Sequence, residues 1–333
     1  MMDCYILSVP NDIINVIVNK LSSRYTIYFL STCNTFYKYI TIRSLESFSI
    51  DNNTLQQSKF LNIENLYIDN NRKVTSISFL TKLKTLTVTG VSAINQDAID
   101  NISQLVCLNM NSNLKIKNVS HLTSLTILSA NWTSHFHNEF YINNLINLTS
   151  LNIRFITTNI ILLTNLLILD ISHTAIDQNN ITGMTNLTSL TMENNNYINN
   201  IVHLTKLVEL DISSCENIQI DNIMNLTRLN VSYNPNISSI GHLSKLIVLN
   251  AIGRACSIRQ DCIDKLTNLI SLNISCNEHI SNIKHLTKLT ILYVNGETCK
   301  IDQDNIKNLY SLTKLHCINN NKITSIAHLT NLQ

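Results

Sequence analysis

The chain has 333 residues, 44% of them hydrophobic and 14% charged, with a formal net charge of +2. That balance describes a folded chain rather than a disordered one, and 333 residues exceed one ordinary core unless the chain is a repeat array. No stretch gathers Lys and Arg into a stripe, so the sequence excludes a strongly cationic nucleic-acid surface. Asn and Ile dominate, against only 5 Gly and 2 Pro, a bias that an AT-rich coding genome produces without functional cause.

Residues 1–44 open the chain as a segment of their own. Its start, MMDCYILSVPNDIINVI, lacks a basic leader, and no run of about 18 apolar residues is present to span a membrane. Ile13, Ile14, Ile17 and Leu21 have helical spacing behind Pro10 and Asp12, an N-terminal helix signal. Ile27, Leu30 and Cys33, then Phe36, Tyr37 and Ile40, follow, so three short helices are predicted. Nine cysteines without a C-x-x-C pair read as reduced thiols, and an intracellular, cytoplasmic address follows.

From residue 45 a single unit recurs, L-x-x-L-x-I-x-x-N. It stands at Leu187, Leu190, Met192 and Asn195, again at Leu226, Leu229, Val231 and Asn234, and again at Leu269, Leu272, Ile274 and Asn277. Its first position falls at Ile63, Leu83, Leu105, Leu125, Leu148, Leu166, Leu187, Leu207, Leu226, Leu246, Leu269, Leu289 and Leu312, in steps of 18 to 23 residues. A weaker start at Leu45 reads as a capping coil. Positions four to six predict a short strand, with four and six inward and three, five and seven outward. One coil cannot cover its own apolar face, so coils stack. The ninth-position Asn is expected to turn inward and satisfy backbone groups where the chain leaves the strand.

Asn fills position nine in alternate coils, at Asn71, Asn113, Asn195, Asn234, Asn277 and Asn320; Thr133, Thr174, Cys215, Arg254 and Glu297 take it in the others. The latter coils carry Gln96, Gln178, Gln260 and Gln303 in an I-x-Q segment that recurs at multiples of about 41–43 residues, with spacing suited to a short helix. The unit resembles the leucine-rich repeat. The resemblance implies an α/β solenoid: a curved leucine-rich-repeat array of about 13–14 coils over 45–333, one short parallel strand per coil, behind a small helical segment.

The N-terminal residues carry a second resemblance. Val9, Pro10, Ile13, Ile14, Ile17 and Leu21 resemble the opening of an F-box, and Thr32, Cys33 and Phe36 its close; Val replaces the family's first Leu and Phe its final Trp. The resemblance implies that Val9, Pro10, Ile13, Ile14, Ile17 and Leu21 face or support a Skp1-type adaptor, while the repeats hold a substrate for a ubiquitin ligase. The alternative is a stand-alone binding protein whose N-terminal helices only cap the first coil. In style and composition the whole resembles leucine-rich-repeat proteins encoded by giant DNA viruses of amoebae, which implies a host cytoplasm.

No sequence constellation marks an enzyme, a cofactor or a metal. G-x-S-x-G, a Gly-rich phosphate loop and H-E-x-x-H are absent. His121, His203, His242, His285 and His328 each lie sixteen residues after a first-position Leu, on alternate coils about 10 Å apart. That separation is too wide for one ion, so a structural hydrogen-bonding column is predicted. The partner is expected on the concave face, where the exceptions to Asn, Ser and Thr cluster: Trp132, Arg154, Phe155, Asp170, His173, Glu193, Glu209 and Asp211, over five successive coils. Trp and Arg are enriched at binding hot spots; the competing reading turns Trp132 and Phe155 inward at irregular coils.

Overall fold

A computed structural model of the chain describes residues 42–46, 49–131, 141–216 and 218–333. The chain divides into two compact units, the first ending at Leu163 and the second beginning at Thr164. In the first, β1 (Ser44–Glu46), β2 (Asn65–Tyr67), β3 (Thr85–Thr87), β4 (Cys107–Asn109), β5 (Ile127–Ser129) and β6 (Ser150–Asn152) pair in sequence order, all parallel. In the second, β7 (Ile168–Asp170), β8 (Ser189–Thr191), β9 (Glu209–Asp211), β10 (Arg228–Asn230), β11 (Val248–Asn250), β12 (Ser271–Asn273), β13 (Ile291–Tyr293) and β14 (Lys314–His316) do the same. Each unit is a parallel-strand solenoid with little helix.

Every strand is three residues long with its fourth-position Leu in the middle, and those leucines pair with one another down each stack, as Leu190, Leu210, Leu229 and Leu249 do. The middle residue is buried in every strand from β1 to β13, while its neighbours face out. Burying one such Leu contributes about 1.5–3 kcal/mol, and the identical register makes the contribution repeat coil by coil. The first coil begins three residues before the start read from sequence: Leu45 pairs with Leu66 and so holds the fourth position, and Ile42, fully buried, holds the first.

The long coils carry short helices on the return path: α1 (Asn52–Leu55), α2 (Gln96–Asp100), α3 (Gln178–Ile181), α4 (Gln260–Ile263) and α5 (Gln303–Ile306), besides a 3-10 turn at Ser58–Phe60. Asp51, Asn95, Asp177 and Asp302 cap their first turns by accepting a backbone N–H three residues on. The Thr54 N–H holds the Asp51 carboxyl below its usual titration range, and the Asn180 side-chain amide, with its N–H, does the same for Asp177.

The Asn ladder is as expected. Asn71, Asn113, Asn195, Asn234, Asn277 and Asn320 are all buried. The Asn195 amide donates to the Ile176 carbonyl (3.0 Å) and its oxygen accepts from the Tyr197 N–H (3.0 Å). Thr174 and Cys215 fill the same slot in intervening coils, donating to the carbonyls of Ile171 (2.7 Å) and Met192 (3.0 Å). Arg254 and Glu297 do not. An extra loop puts both in solvent, and the buried slot passes to Cys256 and Cys299, whose N–H groups close turns onto Gly253 and Gly296. A buried slot accepts a small thiol at far lower cost than a charge.

The periodic glutamines are clips between coils. The Gln303 amide donates to the Ser325 carbonyl (2.8 Å), while its oxygen accepts from the Thr324 (3.0 Å) and Ser325 (2.9 Å) N–H groups. Gln96, Gln178 and Gln260 repeat the arrangement on Asn118, Asn200 and Asn282. A Gln side chain presents the donor and acceptor of a peptide group, so each clip extends the hydrogen-bond ladder where no strand exists.

Candidate functional site

The outward face of the strands is built by position. In the second unit the third position reads Ile168, Ser189, Glu209, Arg228 and Val248 along β7–β11, and the fifth reads Asp170, Thr191, Asp211, Asn230 and Asn250. A shallow depression opens over β8–β11, with Glu209, Asp211, Arg228 and Asn230 in its lining. The Arg228 guanidinium pairs with Glu209 at 3.2 Å, both half-exposed, and such a pair contributes little to stability.

Asp170 and Asp211 hold the strand ends as well as facing out. Asp211 Oδ1 accepts from the Ser213 hydroxyl (2.6 Å) and N–H (2.9 Å), and Oδ2 accepts from the Asn230 amide (2.8 Å). Asp170 takes the Ser172 hydroxyl (2.7 Å) and N–H (3.0 Å) in the same way. His173 Nε2 stands 3.6 Å from Glu193 Oε2 and Nδ1 lies 3.1 Å from the Asn194 amide. The second unit thus places Asp170, His173, Glu193, Glu209 and Asp211 on three neighbouring coils.

In the first unit Arg154 and Phe155 are adjacent, the guanidinium 5.9 Å from the ring centroid, a cation–π arrangement. Phe155 is 37% exposed, so it does not turn inward. Trp132 lies outside the described residues, as do Val9, Pro10, Ile13, Ile14, Ile17 and Leu21 and the remainder of the F-box-like segment.

Phe155 and His173 occupy the eighth position, beyond the strand proper, and that position has a rule the sequence reading missed. Asn70, Gly90, Ser112, Phe155, His173, Asn194, Ser214, Tyr233, Gly253, Cys276, Gly296 and Asn319 all have positive φ, between 54° and 98°. In most coils the ninth N–H bonds to the sixth carbonyl, as Asn195 to Met192 (3.0 Å), while the eighth N–H reaches the next coil, as Tyr233 to Ile252 (2.8 Å). A four-residue turn with positive φ at its third residue is type II, which favours Gly or Asn. The signal was present: three of the five glycines, Gly90, Gly253 and Gly296, share this offset.

The histidine column is structural in four coils. Nε2 of His121, His203, His285 and His328 lies 3.1–3.2 Å from the carbonyls of Ile99, Ile181, Ile263 and Ile306. His242 differs: its Nε2 is buried with no partner. Among the described residues no group of three or more His, Cys, Asp or Glu side chains is placed to hold a metal, and no helix is long and apolar enough to cross a membrane. Cys215 and Cys256 are buried enough that their thiols are pushed up to about 11, far from the activated range of a nucleophile.

Comparison with solved structures defines the class: the architecture is that of a leucine-rich-repeat solenoid. The functional domain of InlJ from Listeria monocytogenes, which includes a cysteine ladder, superposes with a TM-score of 0.63 at 22% identity, over 87% of this chain and 66% of that one. The chain thus spans just under two thirds of the InlJ domain. A leucine-rich-repeat protein of Leptospira interrogans gives 0.54 at 20% identity, covering 87% of this chain and 88% of its own. TLR13, solved in complex with ssRNA13, gives 0.55 at 17% identity, covering 94% and 54%. At these identities the likeness is one of fold. No family model matches the chain, and the search of curated proteins finds no match.

Proposed function

We propose that this chain is a non-enzymatic scaffold whose strand face holds a protein partner. The observation that carries the reading is the shared register. It sets the third- and fifth-position side chains of successive coils side by side on a face whose backbone is already hydrogen-bonded within the sheet. Glu209, Asp211, Arg228, Asp170, His173 and Glu193 in the second unit, and Arg154 and Phe155 in the first, supply the charged and aromatic chemistry of an interface. Trp132, at the eighth position of its coil, joins this set on its residue type. Three carboxylates on β7–β10, Asp170, Glu209 and Asp211, with Glu193 just beyond β8, against the one guanidinium of Arg228 disfavour a polyanion such as nucleic acid.

A more specific version makes the chain an F-box-type substrate-recognition adaptor for a ubiquitin ligase in the cytoplasm, with Val9, Pro10, Ile13, Ile14, Ile17 and Leu21 engaging a Skp1-type adaptor. Its support is the sequence resemblance of residues 9–36. The second reading is a stand-alone binder in which residues 1–44 cap the first coil.

Two experiments test these levels separately. A photo-crosslinking residue at Asn230, on the strand face, is expected to capture a discrete protein in cells, while one at Lys307, just after α5, captures none. Capture from Lys307 alone overturns the strand-face scaffold. Co-expression with a Skp1-type protein is expected to give an equimolar complex that Pro10→Ala with Ile13→Asp abolishes. A folded chain that ignores the adaptor removes the ubiquitin link and leaves the scaffold.

A further inference from the structure

The strand face of the second unit carries two features of different chemistry. The first is a row of second-position side chains, Leu167, Thr188, Val208, Thr227, Ile247 and Ile270, in which exposed aliphatic residues alternate with Thr before closing on the Ile247–Ile270 pair. Leu167, Val208, Ile247 and Ile270 hold the second position of their coils and remain 36–43% exposed. Backbone hydrogen bonds place them in one row: Thr188 to Leu167, Val208 to Thr188, Thr227 to Val208, Ile247 to Thr227 and Ile270 to Ile247, each 2.8–2.9 Å. Ile168, 49% exposed, widens the row at its start. Single exposed apolar residues are ordinary on a soluble protein, but an aligned set marks a surface that something covers. Five strand spacings of about 4.8 Å make the row about 24 Å long.

The second is an acidic cluster beside the first half of that row, on the coils that begin at Leu166, Leu187 and Leu207. It consists of Asp170, Glu193, Glu209 and Asp211, opposed by Arg228 and beside His173. The chain as a whole is net positive, so the acids are a local feature of this face. Lys206 and Lys245 border the apolar row on its other side, two residues before Val208 and Ile247, with their ammonium groups on Asn186 and Asn225 (2.7 Å each). From the second to the fifth position is three residues, about 10 Å at strand rise, which matches the width of one α-helix.

We propose that this face docks one amphipathic helix of a partner protein, its apolar stripe along Leu167, Val208 and Ile247 and its Lys or Arg flank over Glu209 and Asp211. The inference rests on the scaffold reading and names the kind of partner. Charge complementarity sets the orientation: the basic flank faces the carboxylates, and the flank beside Lys206 and Lys245 is neutral or acidic.

The test uses the full chain and labelled synthetic peptides of about 16 residues, the helix length that spans about 24 Å. One places Leu on one face and Lys on the adjoining flank; a second replaces Lys by Glu; a third replaces Leu by Ser. Fluorescence anisotropy should show the Leu/Lys peptide binding at least about tenfold tighter than either control. Glu193→Lys with Glu209→Lys, and separately Val208→Ser with Ile247→Ser, should each weaken it about tenfold while circular dichroism stays unchanged. Equal binding of the three peptides, no binding by any, or indifference to both double variants overturns the helix proposal. Crosslinked capture at Asn230 together with any of those outcomes leaves the scaffold standing without it.

Discussion

The ring of Tyr233 lies over the α-carbon of Gly253: a methyl group added there would meet ring atoms Cδ1 and Cε1 at 2.5 and 2.6 Å. Asn70 covers Gly90 and Cys276 covers Gly296 in the same way. The eighth-position side chain of one coil folds onto the glycine of the next, and that glycine has a left-handed backbone of its own. Gly253→Ala is therefore expected to destabilise the chain by at least about 1–2 kcal/mol, the left-handed penalty alone. Urea denaturation measures it. Adding Tyr233→Ala should recover the steric part and leave the backbone part, so the two changes are non-additive; strict additivity would mean that the ring does not press on this site.

Asn195 joins a buried carbonyl of one coil, Ile176, to a part-buried N–H of its own, Tyr197. Asn195→Ala leaves the Ile176 carbonyl and the Tyr197 N–H without their side-chain partner. At about 1–3 kcal/mol for a buried unsatisfied group, with only the Ile176 carbonyl fully buried, a loss of about 2 kcal/mol is expected in the unfolding free energy. A loss no larger than that of an exposed Asn→Ala change, such as Asn199→Ala, would show that water replaces the side chain.

His203 and His242 occupy equivalent positions with opposite expected outcomes. His203→Leu removes a hydrogen bond to the carbonyl at the end of α3 and should cost about 1 kcal/mol. His242→Leu removes a buried nitrogen without a partner and should leave the melting temperature unchanged or raise it. The difference has a local cause: the preceding coil, from Leu207, has no helix among its described residues, so no helix-end carbonyl stands where the other histidines find one.

Cys215 and Cys256 give a pH dependence with a defined sign. Burial raises both thiols from 9.0 to about 11, so the native state favours the protonated form. Their contribution is complete below pH 9 and declines as pH rises towards about 11, because the unfolded chain ionises first. Cys215→Ala with Cys256→Ala should flatten the alkaline limb of stability against pH relative to the parent. A thiol reagent should label both residues only on unfolding, and rapid native labelling would contradict their burial.

The coil phase was legible because the apolar period encodes it directly. Leu190, Leu210 and Leu229 are inward in every register that buries a coil at all, and Asn195 follows because a chain leaving a strand needs a buried donor and acceptor. The histidine column was legible from its constant offset. The first coil was not, since Leu45 imitates a first position and only its pairing with Leu66 of β2 shows it to hold the fourth. Arg254 and Glu297 failed for a similar reason: the count to nine ignores an inserted loop, and Cys256 and Cys299 take the slot.

The candidate face was read as a set of residue types, and the structure sorted them by position. Sequence by itself determined the repeat, its parallel strands and the inward leucines and asparagines, because these follow from a periodicity that each coil imposes on itself. Tertiary structure decided the left-handed eighth position, the Gln303 clip onto Thr324 and Ser325, and the alignment of Leu167, Val208 and Ile247 beside Glu209 and Asp211. Each of these is a relation between neighbouring coils, and the physical reason is that a side chain's partner in the next coil stands some twenty residues away, where only stacking brings it within reach.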